Sequence, residues 1–326
     1  MILCFREQQI FVHSFHYQLG KTKRDLDQLA AEKLLVGTAA DLAALGYHYS
    51  LGLDKSENLL SLTCGPLSQV LKDGAEPAGF VFQHCYAESA VLYYDPDETN
   101  IALRTRYFAG EVMRQLEVDH LPYFCSFASG CSGFTSLLGA AGGVLATASD
   151  ERPMVCVMAD CMPPGVPFNM LDERILGSDQ SSAFVVGREP IGYQVLAIGF
   201  YSTTRTRVPF LEVVKRTVQM IQELAANLEL NVSTSDVTVH YPNIFPETWK
   251  MVTRQLRNPR VEHVLHGMAE RAHCGSSDSV ISLASYHRNR EGRIHIAVNY
   301  GVGLHLAVCV LKEKANDRSI GGAQVD

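Results

Sequence analysis

The chain has one tryptophan, Trp249, and is short of positive charge: 28 Lys and Arg stand against 35 Asp and Glu in 326 residues, a formal net charge of -7. No Lys/Arg cluster breaks that balance, so the basic footprint of a nucleic-acid partner is missing. The nine cysteines include no CxxC pair, and their number is odd. That usage excludes a disulfide framework and a metal-binding zinc site, and predicts reduced thiols in a cytoplasmic protein. Residues 1–7 lack a basic segment leading into an apolar one, so no signal peptide is expected. Uncharged apolar runs of membrane-spanning length are absent too, apart from a helix-like stretch after Cys131 that is rich in Gly, Ala, Ser and Thr. What remains is a globular composition, 47% hydrophobic and 19% charged, long enough for two domains or one large one.

The chain can be read as built around Cys131. Leu121-Pro122-Tyr123-Phe124-Cys125 before it reads as a buried strand. Residues 134–146 after it are apolar on nearly every side, as in a buried helix. Between them lies Ala128-Ser129-Gly130-Cys131-Ser132-Gly133, a run of small residues. The cysteine is thus expected at a strand-to-helix turn, where the helix dipole favours thiolate. The competing reading is an inert core cysteine.

Helical spacing predicts helices over residues 24–45, 59–71 (interrupted at Gly65-Pro66), 100–116, 210–228, 247–256 and 277–287. Buried strands are expected at residues 79–85, 154–160 and 181–187, with residues 191–201 as the antiparallel neighbour of the last. Further strands are expected at 237–240, 294–298 and 304–310. Alternating strands and helices give an α/β class. Gly187-Arg188-Glu189-Pro190 is the plausible seam, dividing an N-terminal half, residues 1–187, from a C-terminal half, residues 188–326. Each half sets a small-residue turn before a buried helix, Gly130-Cys131-Ser132-Gly133 and His273-Cys274-Gly275-Ser276-Ser277, the echo that an internal duplication leaves.

Three more stretches carry candidate chemistry. His240 ends a strand in Val239-His240-Tyr241-Pro242-Asn243, either pointing beyond the sheet edge or lying in the core on a backbone carbonyl. His273 and Asp278 flank a small-residue turn and either face one cavity or belong to a helix cap. Tyr300-Gly301-Val302-Gly303 either directs backbone N–H groups at an oxyanion or is a plain hairpin turn.

Taken together, these stretches resemble the ketoacyl synthase III branch of the thiolase superfamily, over roughly residues 79–311. Gly130-Cys131-Ser132-Gly133-Phe134 is similar to the family's nucleophile turn, and Gly177-Ser178-Asp179-Gln180-Ser181-Ser182-Ala183 to its Gly-Asp-Gly-Ala turn. His240-Tyr241-Pro242-Asn243 resembles its His-Gln-x-Asn motif, and Tyr300-Gly301-Val302-Gly303 its terminal Gly-rich turn. The resemblance implies a five-layer αβαβα sandwich of two similar halves and a homodimer. It further implies that Cys131 takes an acyl group from a thioester, that His240 serves as acid/base or hydrogen-bond donor, and that the backbone N–H groups of Cys131 and Val302 form an oxyanion hole. The donor would be the phosphopantetheine thioester of an acyl carrier protein or coenzyme A, with no tightly bound cofactor.

The sequence departs from the family where a Gly-Asn motif is replaced by His273-Cys274-Gly275. His273 with Asp278 is the expected substitute. A similar pair occurs in atypical family members of natural-product pathways, some of which transfer acyl groups to a hydroxyl or amine. Acyl transfer to oxygen or nitrogen of a small-molecule acceptor is therefore favoured over Claisen condensation, because an imidazole oriented by a carboxylate can deprotonate such an acceptor. A missing pattern of Trp and Arg for coenzyme A recognition favours the carrier protein as donor. A silent partner subunit of a heterodimeric synthase is a further alternative, against which the retention of Cys131, His240 and His273 argues. A cysteine hydrolase of another α/β fold is opposed by the order of the four motifs.

Overall fold

The computed structural model describes all residues except 127–128, 164–165, 171–173, 206–207, 287–289, 302–304 and 315–326. Its main sheet is a repeat of one pattern. The first half contains β1 (Phe11–Leu19), β2 (Gly79–Gln83), β3 (Tyr123–Ser126), β4 (Met154–Asp160) and β5 (Gln180–Gly187), in the order β3-β2-β4-β5-β1. The second contains β6 (Tyr193–Ser202), β7 (Val237–His240), β8 (Val261–Val264), β9 (Ile294–Gly301) and β10 (His305–Glu313), in the matching order β8-β7-β9-β10-β6. In the first half β2 runs parallel to β3 and β4; in the second, β7 runs parallel to β8 and β9. The remaining pairs are antiparallel. The halves join where Phe11 and Val12 pair with Gln194 and Tyr193, and a short strand, Ile2–Cys4, adds to β6.

Six longer helices cover this sheet: α1 (Leu59–Lys72), α2 (Phe108–Gln115), α3 (Gly133–Thr147), α4 (Phe210–Asn227), α5 (Pro246–Gln255) and α6 (Asp278–Tyr286). Side chains alternate between the faces of a strand, and here they sort into layers. Phe80, Phe82, Val155 and Val157 pack on one face with Leu67, Val70, Phe108 and Val112 of α1 and α2. Val81, Cys156 and Met158 turn the other way, onto Phe134, Leu137 and Leu138 of α3. Val280 and Leu283 of α6 share that middle layer, and Ala297, Cys309 and Leu311 close it from the second half. Ile296, Val298, Val308 and Val310 face outwards under α4 and α5. Helices, sheet, helices, sheet, helices is the αβαβα order. Burying each large side chain of the middle layer contributes roughly 1.5–3 kcal/mol.

Several local expectations are corrected. Residues 24–45 hold two short helices, Leu26–Ala31 and Ala39–Ala44. Lys33 and Gly37 take positive φ between them, and Thr38 caps the second helix. Helix α1 is not interrupted at Gly65-Pro66; Pro66 lies buried inside it, where packing of Leu62, Leu67 and Val70 outweighs the lost backbone bond. Residues 100–116 contain a short helix, then the strand Thr105–Tyr107, then α2. The strand at 191–201 is not the neighbour of β5. It pairs with β10, and β1, which no sequence signal had marked, separates the two. The stretch before Cys131 forms a strand, but an exposed one: β3 is one of the two outermost strands, and Tyr123 and Phe124 are 42% and 40% exposed.

Among the described residues no helix is long and apolar enough to cross a membrane, and no group of His, Cys, Asp and Glu is arranged to hold a metal ion.

Candidate active site

In a parallel pair of strands, the residues just past the carboxyl ends gather at one edge of the sheet. Cys85 follows β2, Cys131 follows β3, and Asp160 and Cys161 lie at the end of β4. The duplication adds a second feature at the same edge. The turns Gly130–Ser132 and Gly275–Ser277 are both single 3₁₀ turns, each opening a middle-layer helix. Gly130 and Gly275 have nearly equal positive φ, 51° and 52°, a conformation that costs glycine little. The turns touch: Ser276 Oγ accepts from the Gly133 N–H at 3.2 Å and donates to the Gly130 carbonyl at 3.3 Å. The N-termini of α3 and α6 therefore converge, and their partial positive ends favour negative charge between them.

Cys131 is buried, 8% exposed, and lines a cavity of about 20 Å³ with Cys85, Tyr86, Asp160, Cys161 and His273 among its walls. Gln83 donates to the Gly130 carbonyl at 3.0 Å and fixes the turn. Gly301, the last described residue of β9, packs against it; a Cβ there would fall 2.7 Å from the Ser129 carbonyl oxygen and 3.2 Å from the Cys131 nitrogen. Val302, expected to give the second oxyanion N–H, lies outside the described residues.

His273 enters the cavity from a backbone clamp. Its N–H donates to the Leu176 carbonyl and its carbonyl accepts from the Ser178 N–H, both at 2.9 Å. Its Nδ1 donates to Asp278 Oδ2 at 2.6 Å, which leaves Nε2 for the cavity. Asp278 opens α6 and is 2% exposed. It also accepts from Arg271 Nη1 at 2.5 Å and from the backbone N–H groups of Asn243 and Cys274 at 2.9 and 3.1 Å. Burial alone would push its carboxyl up, but the Arg271 charge and the His273 bond outweigh it and hold the group well below the usual carboxylate range. An ionised Asp278 accepts at Nδ1, so the ring proton held there leaves Nε2 as the nitrogen available to the cavity. Arg271, invisible to the sequence reading, is the charge that makes this possible.

His240 is elsewhere. Its side chain points into the middle layer, with Nδ1 on Ser282 Oγ at 2.7 Å and Nε2 on His295 Nδ1 at 2.9 Å. His295 continues to Glu313 at 2.9 Å, and all three residues of that chain are buried. His240 does not line the Cys131 cavity. As the last residue of β7 it still obeys strand alternation, which turns it onto α6 instead of past the sheet edge. Asn243, three residues on, ties the loop to the His273 segment through the His266 and Ala272 carbonyls.

Cys85 is the cavity residue the sequence reading passed over. Its Sγ is 3.7 Å from Cys131 Sγ and 3.3 Å from Ser276 Oγ. Its backbone N–H bonds both oxygens of Asp160, at 2.8 and 2.9 Å. The bond to Cys131, together with burial, pushes its thiol well above the ordinary range. The available signal was its place at the end of the strand expected over residues 79–85.

No family model and no curated protein matches the sequence. By shape the chain is similar to 3-oxoacyl-[acyl-carrier-protein] synthase III from Aquifex aeolicus, over 93% of this chain and 99% of that one, at 15% identity and a TM-score of 0.72. It is similar to an acyltransferase, ChlB3, over 94% and 98% of the two chains, at 15% identity and a TM-score of 0.74. A tetronic acid condensing enzyme, AbyA1, matches over 93% and 99%, at 14% identity and a TM-score of 0.70. Likeness at this identity establishes the architecture: the chain has the fold of the ketoacyl synthase III structures, a thiolase-like αβαβα sandwich.

Proposed function

We propose that the chain is an acyltransferase that works through an acyl-Cys131 thioester. The observation that carries this reading is the joint lining of one cavity by Cys131, at the N-terminus of a buried helix, and His273, held by an ionised Asp278. In the first half-reaction the Cys131 sulfur attacks the carbonyl of an acyl thioester borne by a carrier protein's phosphopantetheine or by coenzyme A. The carbonyl oxygen gains negative charge beside the Cys131 N–H, and the donor thiol departs with a proton. In the second, His273 Nε2 removes the proton of an acceptor hydroxyl or amine, which attacks the acyl carbonyl and releases Cys131. Likeness to an acyltransferase among the solved structures supports this reading, and likeness to condensing enzymes keeps carbon–carbon bond formation as its rival. The homodimer expected of such folds is part of the same proposal.

Intact-mass measurement after incubation with a panel of acyl carrier proteins and acyl-coenzyme A species tests it. The expected result is one acyl adduct, lost in Cys131→Ala. An adduct retained by that variant, or mapped to Cys125 or Cys274, overturns the assignment. Product analysis with malonyl-type donors separates the rival, since condensation with decarboxylation releases carbon dioxide and O- or N-acylation does not.

A further inference from the structure

Two of the nine cysteines meet at the site. Cys85 and Cys131 come from consecutive parallel strands of one sheet, and their sulfurs lie 3.7 Å apart, in contact but unbonded. A disulfide needs about 2.0 Å between sulfurs. The backbones on both sides are held, Cys85 by Asp160 and the Cys131 turn by Gln83 and Ser276. Cys161 also lines the cavity, but among the described residues the sulfur hydrogen bond at Cys131 comes from Cys85, and Cys125 is exposed on β3.

We propose that Cys85 is the resolving thiol of Cys131, and that a hydroperoxide drives the pair into a reversible disulfide that takes the nucleophile out of service. In the first step the Cys131 thiolate sulfur attacks the distal oxygen of the peroxide. The S–O bond forms as the O–O bond breaks; sulfur is oxidised to sulfenic acid, and the peroxide is reduced to water or an alcohol, taking up a proton from solvent. In the second step the Cys85 sulfur attacks the sulfenic sulfur. The S–S bond forms, the S–O bond breaks, and the departing hydroxide takes the Cys85 proton and leaves as water. A dithiol reverses the change by exchange and is itself oxidised. Without a resolving thiol the sulfenic acid proceeds under excess peroxide to sulfinic acid, which thiols do not reduce. The loss of activity on oxidation rests on the reading of Cys131 as acyl acceptor; the disulfide chemistry does not.

The test uses the reduced full-length protein, treated with graded hydrogen peroxide, alkylated under denaturing conditions and mapped by peptide mass spectrometry. The expected result is a link between the peptides carrying Cys85 and Cys131, restored to two alkylatable thiols by dithiothreitol. Cys85→Ser should accumulate sulfinic acid at Cys131 and lose that recovery. Cys85→Ala serves as a second variant, with circular dichroism to check its fold, and the mapping of the parent stands without either. The proposal is overturned if the parent gives Cys131 sulfinic acid with Cys85 freely alkylated, if the link maps to Cys125 or Cys161, or if Cys85→Ser recovers like the parent. A parallel arm labels the reduced and the oxidised protein with acyl thioester. No label on the reduced protein defeats the acyltransferase reading and leaves the mapped disulfide intact; label on the oxidised protein defeats the switch.

Discussion

At the scale of single residues, the site depends on one buried charge cluster. Removing the His273 imidazole should leave acylation of Cys131 intact and stall the acyl-enzyme, because the acceptor then loses its base. The loss of turnover expected for an orienting carboxylate is up to about 10⁴-fold, as in the serine-protease precedent, so Asp278→Asn should stall in the same way. The two variants should differ in stability. Asp278→Asn strands a buried Arg271 guanidinium, which costs roughly 3–5 kcal/mol, whereas His273→Ala leaves the Arg271–Asp278 pair in place. Single-turnover mass spectrometry with parallel urea melts measures both effects; equal turnover in parent and variants would reduce the pair to a helix cap.

His240 gives a second prediction at this scale. Burial first, and then the neighbouring His295, hold its imidazole well below the ordinary range. The unfolded chain accepts a proton near pH ~6.5 that the folded chain resists. Stability is therefore complete above that pH and falls as the pH drops below it, towards the folded pKa. Urea midpoints should decline below about pH 6.5, and the decline should be shallower in His240→Gln. That variant should still acylate, since His240 does not line the Cys131 cavity. Failure to acylate in a folded His240→Gln would return this residue to the chemistry.

At the scale of elements, the two matching turns explain both what the sequence revealed and what it hid. Glycine and serine runs before apolar stretches are local signals, so the turns at Cys131 and Ser276 and helices α3 and α6 were legible to within a residue or two. The positions of Cys131, His273 and Asp278 at or beside those turns are legible for the same reason. The partners Cys85 and Arg271 are not, because they reach the site through strand order and loop packing, which no short stretch encodes. His240 stays open between the sheet edge and the core on sequence alone, because a strand end is exposed only if the side chain points past the sheet, and pairing decides that; the structure gives the core placement, on the Ser282 and His295 side chains instead of a backbone carbonyl. The N-terminal β1 was missed for a related reason. Its run Phe11-Val12-His13-Ser14-Phe15-His16-Tyr17 mixes histidines into the apolar pattern, and burial between β5 and β6 came from the far end of the chain. An element-level prediction follows at Gly301, where β9 presses on the Cys131 turn. Gly301→Ala would push against the Ser129 carbonyl and the Cys131 N–H. A displacement approaching 1 Å at a reacting centre costs on the order of 10²-fold, so the acylation burst should slow by about that factor with the fold retained by circular dichroism. A parent-like burst would mean that the Gly301 contact does not position the sulfur.

At the scale of the molecule, the sheet edge at β3 is exposed, and no further strand covers it among the described residues. A sheet ending in a strand whose N–H and C=O groups are open invites a further strand, and proteins usually blunt such an edge with charge or proline. Strand β3 carries Tyr123, Phe124 and Cys125 instead, all exposed. The hairpin of Val91–Tyr94 and Thr105–Tyr107, which leads into α2, adds exposed Val91, Leu92, Tyr93, Tyr94 and Tyr107. An apolar display of this kind marks an interface. A second copy of the chain fits it by symmetry, since β3 facing its own copy across a two-fold axis pairs antiparallel and continues the sheet from one protomer into the next. Because β3 leads directly into the Cys131 turn, such a dimer would also brace that turn. The parent should sediment as a dimer at micromolar concentration. Phe124→Lys, which sets like charges against each other across the axis, should shift it to monomer and lower the yield of acyl-enzyme, while Phe210→Lys, at the exposed start of α4 far along the chain, should do neither. A parent that sediments as a monomer, or a Phe124→Lys variant that remains dimeric, would remove β3 as the interface.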